Sequence, residues 1–195
     1  MPSNGGNRMI EICIQGRGGQ GAVIASKILA SAFFAEGKWV QSFPAFGVER
    51  RGAPVKAFVR IDDRQILRRS MIYKPDHLLI LDPSLFEEID VSSGLKAGGW
   101  VVVNTNDPSP FLDRLRAFRV AAVDGSRIAV DLGLGSRVSP VLNTTMLGAF
   151  SRATGLVRID SVIQGIREAI SQNTQANVEA AMRAFEELKV DQRCQ

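Results

Sequence analysis

The sequence predicts an α/β fold in which a doubly wound sheet carries helices on both faces and ends in a helical C-terminal region. Three observations carry this expectation. An apolar run, Ile10 to Ile14, leads through a glycine-rich corner into small and apolar residues from Ala22 to Ala35. Short apolar runs recur at 55–62, 77–81, 100–104 and 119–123, separated by turn residues. The final third instead carries apolar residues at helical spacing. Strands alternating with helices make a Rossmann-like sheet, and helices with one apolar stripe must bury it against a neighbour.

In order, residues 1–8 read as a flexible lead-in, 9–190 as a single domain and 191–195 as a polar tail. Ile10 to Ile14 is apolar enough for a central strand. The helix after the corner runs from near Gln20 to Gly37, a good residue just past a helix end. Lys38 to Ser42 is a short second strand. In Val55 to Asp62, the residues Val55, Ala57, Val59 and Ile61 alternate with Lys56 and Arg60, which predicts one buried and one solvated face. A short segment near 66–72 follows, then a buried strand from His77 to Leu81 and a helical turn over 84–89. Three consecutive valines make Trp100 to Asn104 a strand. Ser109-Pro110 reads as a cap and first helical residue, opening a helix with Phe111, Leu112, Leu115 and Phe118 on one face. Arg119 to Val123 is the last clear strand. Helices are then expected from Ser139-Pro140 to Gly155, from a cap at Asp160, and from about Thr174 to Lys189.

The bulk numbers narrow the function. With 195 residues, 45% hydrophobic and 23% charged, the chain is ordinary globular material. A net charge of +4 is too mild for a general nucleic-acid coat, and basic residues interleaved with aromatics, as an RNA-binding sheet needs, are missing. The only cysteines, Cys13 and Cys194, form no CxxC pair. The chain therefore offers no zinc or iron–sulfur ligand set, and a reducing, cytoplasmic compartment is expected. Residues 1–8 have no apolar signal core, and no apolar run approaches the ~20 residues of a membrane span.

The stretch that carries chemistry is Gly16-Arg17-Gly18-Gly19-Gln20-Gly21. Glycines let the backbone turn tightly and approach a ligand. The helix behind points free N–H groups and its positive end into the turn, which suits an anion. The spacing Gly16-x-Gly18-x-x-Gly21 matches the dinucleotide fingerprint. However, the acidic residue an NAD ribose needs is absent, because the second strand ends in Gln41-Ser42. No Lys-Ser or Lys-Thr follows Gly21, so this is not a phosphate loop of the ATPase type. The glycines alone are compatible with a mere tight turn. Arg17 and Gln20 add a cation and an amide that can reach an anionic or carbonyl ligand.

A second unusual stretch is Phe43-Pro44-Ala45-Phe46-Gly47-Val48-Glu49-Arg50-Arg51-Gly52-Ala53-Pro54. Together with Gly16-Arg-Gly-Gly-Gln-Gly-Ala-Val, Ala25-Ser-Lys27 and Asn143-Thr-Thr-Met-Leu-Gly148, it resembles the gamma subunit of the 2-oxoacid:acceptor oxidoreductases, the pyruvate, ketoisovalerate and related enzymes. The likeness runs through nearly the whole chain.

That resemblance implies a multi-subunit enzyme that decarboxylates a 2-oxoacid on thiamine diphosphate with magnesium, moves electrons through [4Fe–4S] clusters and passes the acyl group to coenzyme A. It implies alpha, beta and delta-type partner chains that hold those cofactors, with none held by this chain alone. The acceptor is ferredoxin, flavodoxin or an NAD-reducing subunit. The substrate is pyruvate, a branched-chain oxoacid, or an aromatic one such as phenylglyoxylate or indolepyruvate. On this reading Gly16, Gly18, Gly19 and Gly21 bring backbone close to the active-site mouth or a coenzyme A phosphate, with donors from Arg17 and Gln20 and Asn143 nearby. Phe46, Glu49, Arg50, Arg51 and Gly52 form a loop over a neighbouring subunit. Arg50 and Arg51 clamp a ligand or pair with a partner, while Phe43 and Phe46 pack a core or interface. The alternative is a nucleotide-binding regulatory module built on the same glycine corner. His77 is expected to be a hydrogen-bonded structural residue, Asp82 a turn or a site residue, and Asn143 a ligand contact or a partner of the glycine loop.

Overall fold

The computed structural model describes residues 9–45 and 52–191. The lead-in at 1–8, the loop residues Phe46, Glu49, Arg50 and Arg51, and Cys194 with the rest of 192–195 lie outside the described residues. The elements in order are β1 (Ile10–Arg17), α1 (Ala22–Ala35), β2 (Trp39–Pro44), β3 (Pro54–Asp62), β4 (His77–Ile80), α2 (Leu85–Glu88), β5 (Trp100–Asn104), α3 (Ser109–Leu112), β6 (Arg119–Val123), α4 (Gly125–Asp131), α5 (Asn143–Thr154), α6 (Ile159–Ala169), α7 (Thr174–Glu187) and β7 (Lys189–Val190).

The strands form one sheet in the order β2-β3-β1-β4-β5-β6-β7. The predicted α/β class, with helices on both faces and a helical C-terminal region, is what the structure has. The strand directions add what apolar patterning could not give. Strands β1, β4, β5 and β6 are parallel, whereas β2 and β3 form an antiparallel pair on one side and β7 runs antiparallel on the other. β3 pairs with β1 along its whole length, from Ile10↔Ile61 to Arg17↔Pro54.

Two cores result, because side chains alternate across a strand. One face buries Ile12, Ile14, Val59, Leu79 and Val102 under α1, α4, α5, α6 and α7. The other buries Cys13, Phe58, Leu78, Ile80, Val101 and Val103 under α2 and irregular segments that contribute Ile72, Val91 and Leu115. α5 lies between the sheet and the outer helices, so residues 143–151 are buried all round. Gly148 lets it meet α7, since a Cβ there would overlap the Ala181 carbonyl oxygen.

Several local expectations are corrected. α5 begins at Asn143, because Pro140 pairs with Gly135 and the Val141 N–H donates to the Leu134 carbonyl, keeping 139–142 out of the helix. Asp160 does not cap α6. It lies in the first turn, and the Arg158 N–H donates instead to Glu36 Oε1 at 2.8 Å. α3 spans only Ser109–Leu112, preceded by Pro108 at the cap position. Arg119–Val123 is not the last strand, because β7 follows α7, and the seven-residue α4 is a further element, capped by the Asp124 carboxylate accepting from the Arg127 N–H. Arg60, expected on a solvated face, has no exposed surface. Among the described residues no helix is long and apolar enough to cross a membrane.

Candidate functional site at the glycine corner

The corner lies where β1 passes into α1, at the carboxyl ends of the parallel strands, which is where ligands bind in open α/β sheets. Gly19 and Gly21 have φ of 99° and 80°, in the left-handed region that favours glycine. At Gly21 a side chain is barred twice, since a Cβ would also come 2.7 Å from Asn143 Nδ2. Gly21 caps α1 without any side-chain hydrogen bond. A Cβ at Gly19 would meet no described residue within 4 Å.

Arg17 and Gln20 are tied into a closed ring of hydrogen bonds. The Arg17 N–H donates to Gln20 Oε1 at 2.7 Å, and Gln20 Nε2 donates to Asp82 Oδ2 at 2.8 Å. Asp82 Oδ1 accepts from the Ser84 N–H and hydroxyl, at 3.0 and 2.6 Å. The Ser84 hydroxyl oxygen in turn accepts from Arg17 Nε and Nη2, at 3.1 and 2.6 Å. Outside the ring, Arg17 Nη2 pairs with Glu88 Oε1 at 2.7 Å and Nη1 donates to the Gly52 carbonyl at 3.1 Å. Glu88 also lines a cleft of about 500 Å³ formed by residues 86–92 with Arg114 and Leu115.

The charges agree with this geometry. The hydrogen bond to Glu88 is the main reason Arg17 is held more firmly protonated than usual, and the same bond lowers Glu88. Burial works to raise the Asp82 carboxyl, but the bonds from Ser84 and Gln20 and the Arg17 charge outweigh it and hold Asp82 below the ordinary range.

The structure brings Gly16, Arg17, Gly18, Gly19, Gln20, Gly21, Gly52 and Asn143 into one neighbourhood. Asn143 is buried under Gly21, and its Oδ1 accepts from the Thr144 N–H. Gly52 belongs to the corner through its backbone: its N–H donates to the Gly18 carbonyl at 3.2 Å, and the Gly18 N–H donates to the Ala53 carbonyl at 2.9 Å. The sequence left Asp82 between a turn and a site role; its carboxylate accepts from Ser84 two residues on, and from Gln20 of the corner. Ser84 and Glu88 were missed, although a serine two residues after an aspartate at a strand end is a local signal for such a turn.

His77, the lone histidine, accepts the Trp100 N–H at Nδ1, 3.1 Å away. Burial pushes its pKa down to about 4, Asp76 opposes this, and Arg119 and Lys96 reinforce it. Cys13 is buried, and burial pushes its thiol up to about 12. Among the described residues no three His, Cys, Asp or Glu side chains are grouped to hold a metal ion.

A family model described as pyruvate ferredoxin/flavodoxin oxidoreductase matches residues 11–187. The chain is 50% identical over 187 residues to the pyruvate/ketoisovalerate oxidoreductases common subunit gamma of Thermococcus litoralis, covering 93% of this chain and 98% of that one. It is 49% identical over 182 residues to pyruvate synthase subunit PorC of Methanothermobacter thermautotrophicus, covering 93% and 97%. The crystal structure of pyruvate oxidoreductase subunit PORC from Thermotoga maritima superposes with a TM-score of 0.79 at 33% identity, over 95% of this chain and 99% of that one.

Proposed function

Because this chain belongs to the pyruvate ferredoxin/flavodoxin oxidoreductase family, we propose that it is the gamma-type subunit of a multi-subunit 2-oxoacid oxidoreductase whose glycine corner faces the coenzyme A region of the assembled enzyme. In such an enzyme thiamine diphosphate with magnesium supplies the decarboxylation chemistry, and [4Fe–4S] clusters carry electrons to ferredoxin, flavodoxin or NAD. Both belong to the partner chains of alpha, beta and delta type. This chain contributes an accessory surface and is not catalytic alone.

One observation carries the role of the corner. An arginine stands beside a glycine turn in front of a helix start whose N-cap residue, Gly21, has no side chain to cap it. The helix dipole and a guanidinium both favour an anion there. A phosphate of coenzyme A has the matching charge. Glu88, itself an exposed carboxylate, occupies the outer side of the guanidinium, where an arriving anion would replace it. The alternative of an autonomous nucleotide-binding module gains no support from the corner, because Ala53 and Gly52 already take the N–H and carbonyl of Gly18. The relative from Thermococcus litoralis is named as common to pyruvate and ketoisovalerate enzymes, which supports a division of labour in which the oxoacid side chain is chosen on other subunits.

The test has two stages. The tagged chain is first purified under native conditions, and thiamine- and cluster-bearing chains are expected to accompany it. In that complex Arg17→Ala should raise the KM for coenzyme A about 10-fold, the loss of one charge-assisted contact, while the KM for the 2-oxoacid stays within about twofold. An unchanged coenzyme A dependence in both Arg17→Ala and Gln20→Ala would remove the ligand role.

A further inference from the structure

Residues 64–74, Arg64-Gln-Ile-Leu-Arg-Arg-Ser-Met-Ile-Tyr-Lys74, form neither helix nor strand, yet they are held firmly from below. The buried Arg60 donates from Nη1 to the Arg68 carbonyl at 3.2 Å and from Nη2 to the Ser70 carbonyl at 2.9 Å. Gln41 Nε2 donates to the Ile66 carbonyl at 3.3 Å, and Ile72 inserts into the second core. The carbonyls of 66, 68 and 70 and the side chain of Ile72 thus face the sheet. Leu67 and Tyr73 stand outward, 79% and 78% exposed, with Met71 partly exposed between them.

The charge of this ridge is one-sided. Arg64, Arg68, Arg69 and Lys74 are all exposed, and no carboxylate occurs between Arg64 and Lys74. One of the four, Arg68, reaches Glu11 at 4.0 Å. A buried arginine is costly to desolvate, and here two of its hydrogen bonds serve only to fix the backbone of a surface segment. Fixing it in advance lowers the entropic cost of association. Exposed Tyr, Met and Leu framed by arginines have the composition of an interface centre with a charged rim.

We propose that the 64–74 ridge docks onto an acidic surface with an apolar centre on another subunit of the same complex. This rests on the subunit reading above but concerns a different part of the molecule. Arg60 pairs with Glu11 in register, and Glu11 lies six positions from Arg17 along β1, about 20 Å at ~3.3 Å per residue. The chain therefore meets its assembly at two separate places. A second copy of this chain would set four cations against four cations, which electrostatic complementarity disfavours. A nucleic-acid backbone would leave Leu67, Met71 and Tyr73 without apolar partners.

The experiment uses the complete complex, purified with either the native chain or the variant Arg64→Glu/Arg68→Glu/Arg69→Glu, and followed by gel filtration at increasing dilution and salt. The charge reversal should release the chain at a subunit concentration at least about 10-fold higher than native. Leu67→Ser/Tyr73→Ser should also weaken assembly, with the salt dependence unchanged. Unaltered melting of each variant chain shows that it still folds, and a variant that does not fold is replaced by the single reversal Arg69→Glu. If the native complex assembles and the folded charge-reversal variant remains bound at the same dilution and salt, this inference is overturned and the subunit reading stands. If the native chain never joins thiamine-bearing chains, both fall. Self-association of the native chain, or retention on a duplex DNA probe, abolished by the reversal would assign the ridge another occupant and also overturn the proposal.

Discussion

The guanidinium of Arg60 has no exposed surface and lies 2.9 Å from Glu11 Oε1 across the β1–β3 pair. Its remaining donors reach Gln41, Arg68 and Ser70, and its Cζ lies 5.6 Å from the centroid of the Phe43 ring. Removing one partner of such a pair strands the other charge in the interior. Arg60→Met is therefore expected to destabilise the fold by about 3 kcal/mol, the low end of the range for broken buried pairs. Lys96 and Arg68 remain within 4.0 Å of Glu11 and relieve part of the loss. Urea denaturation measures it, and a midpoint unchanged from native would contradict the buried geometry. The double variant Glu11→Leu/Arg60→Met should recover part of the stability, since no lone charge is then buried.

Gly148→Ala should also destabilise, by about 3 kcal/mol. Elsewhere in a helix the same change stabilises by roughly 1 kcal/mol. Here the added methyl would overlap the backbone of Ala181, so α5 and α7 must separate. The sign of the change in melting temperature decides the matter: a rise would mean that the two helices do not cross this closely.

His77 predicts a loss of stability in mild acid. Its folded pKa of about 4 lies below the ordinary 6.5 because burial disfavours the imidazolium. The unfolded chain therefore binds the extra proton first as pH falls. The contribution is complete above pH 6.5 and declines as pH drops toward 4. Allowing for its partial contact with solvent, the full effect is on the order of 2 kcal/mol. Comparing stability at pH 7 and pH 4.5 checks this, and His77→Gln should flatten the dependence. An unflattened profile would place the titration elsewhere.

Glu88→Gln should have the opposite effect to Arg17→Ala. Glu88 competes with any anion for the Arg17 guanidinium, and an exposed pair of this kind is only weakly held. Neutralising it should lower the KM for coenzyme A about threefold in the assembled enzyme. The gain should vanish in Arg17→Ala/Glu88→Gln. A gain that persists in the double variant would assign it to something other than release of Arg17.

Most strands were legible because apolar runs are punctuated by glycine, proline and aspartate, and the direction of β3 was recoverable from length alone. The connection from Pro44 to Pro54 is too short for a parallel crossover, which needs about a dozen residues. The burial of Arg60 was not legible. Alternation along β3 correctly places it opposite Val59 and Ile61, but the sequence does not announce that residues 66–72 fold back over that face. α4 hid behind Gly125, which reads as a breaker although it fits close to Met146 and Asn104. At the site, the glycines declare themselves through backbone demands that few other residues meet. Ser84 and Glu88 join Arg17 from 67 and 71 positions away, and pairings at that range leave no local trace.

The hydrogen bonds among Gly18, Gly52 and Ala53, with the reach of Arg17 to the Gly52 carbonyl, make the turn and the stem of the following hairpin a single lever. A neighbour that displaces this stem at Gly52 would move the guanidinium without touching it. Displacing the stem and aiming the guanidinium then become one event.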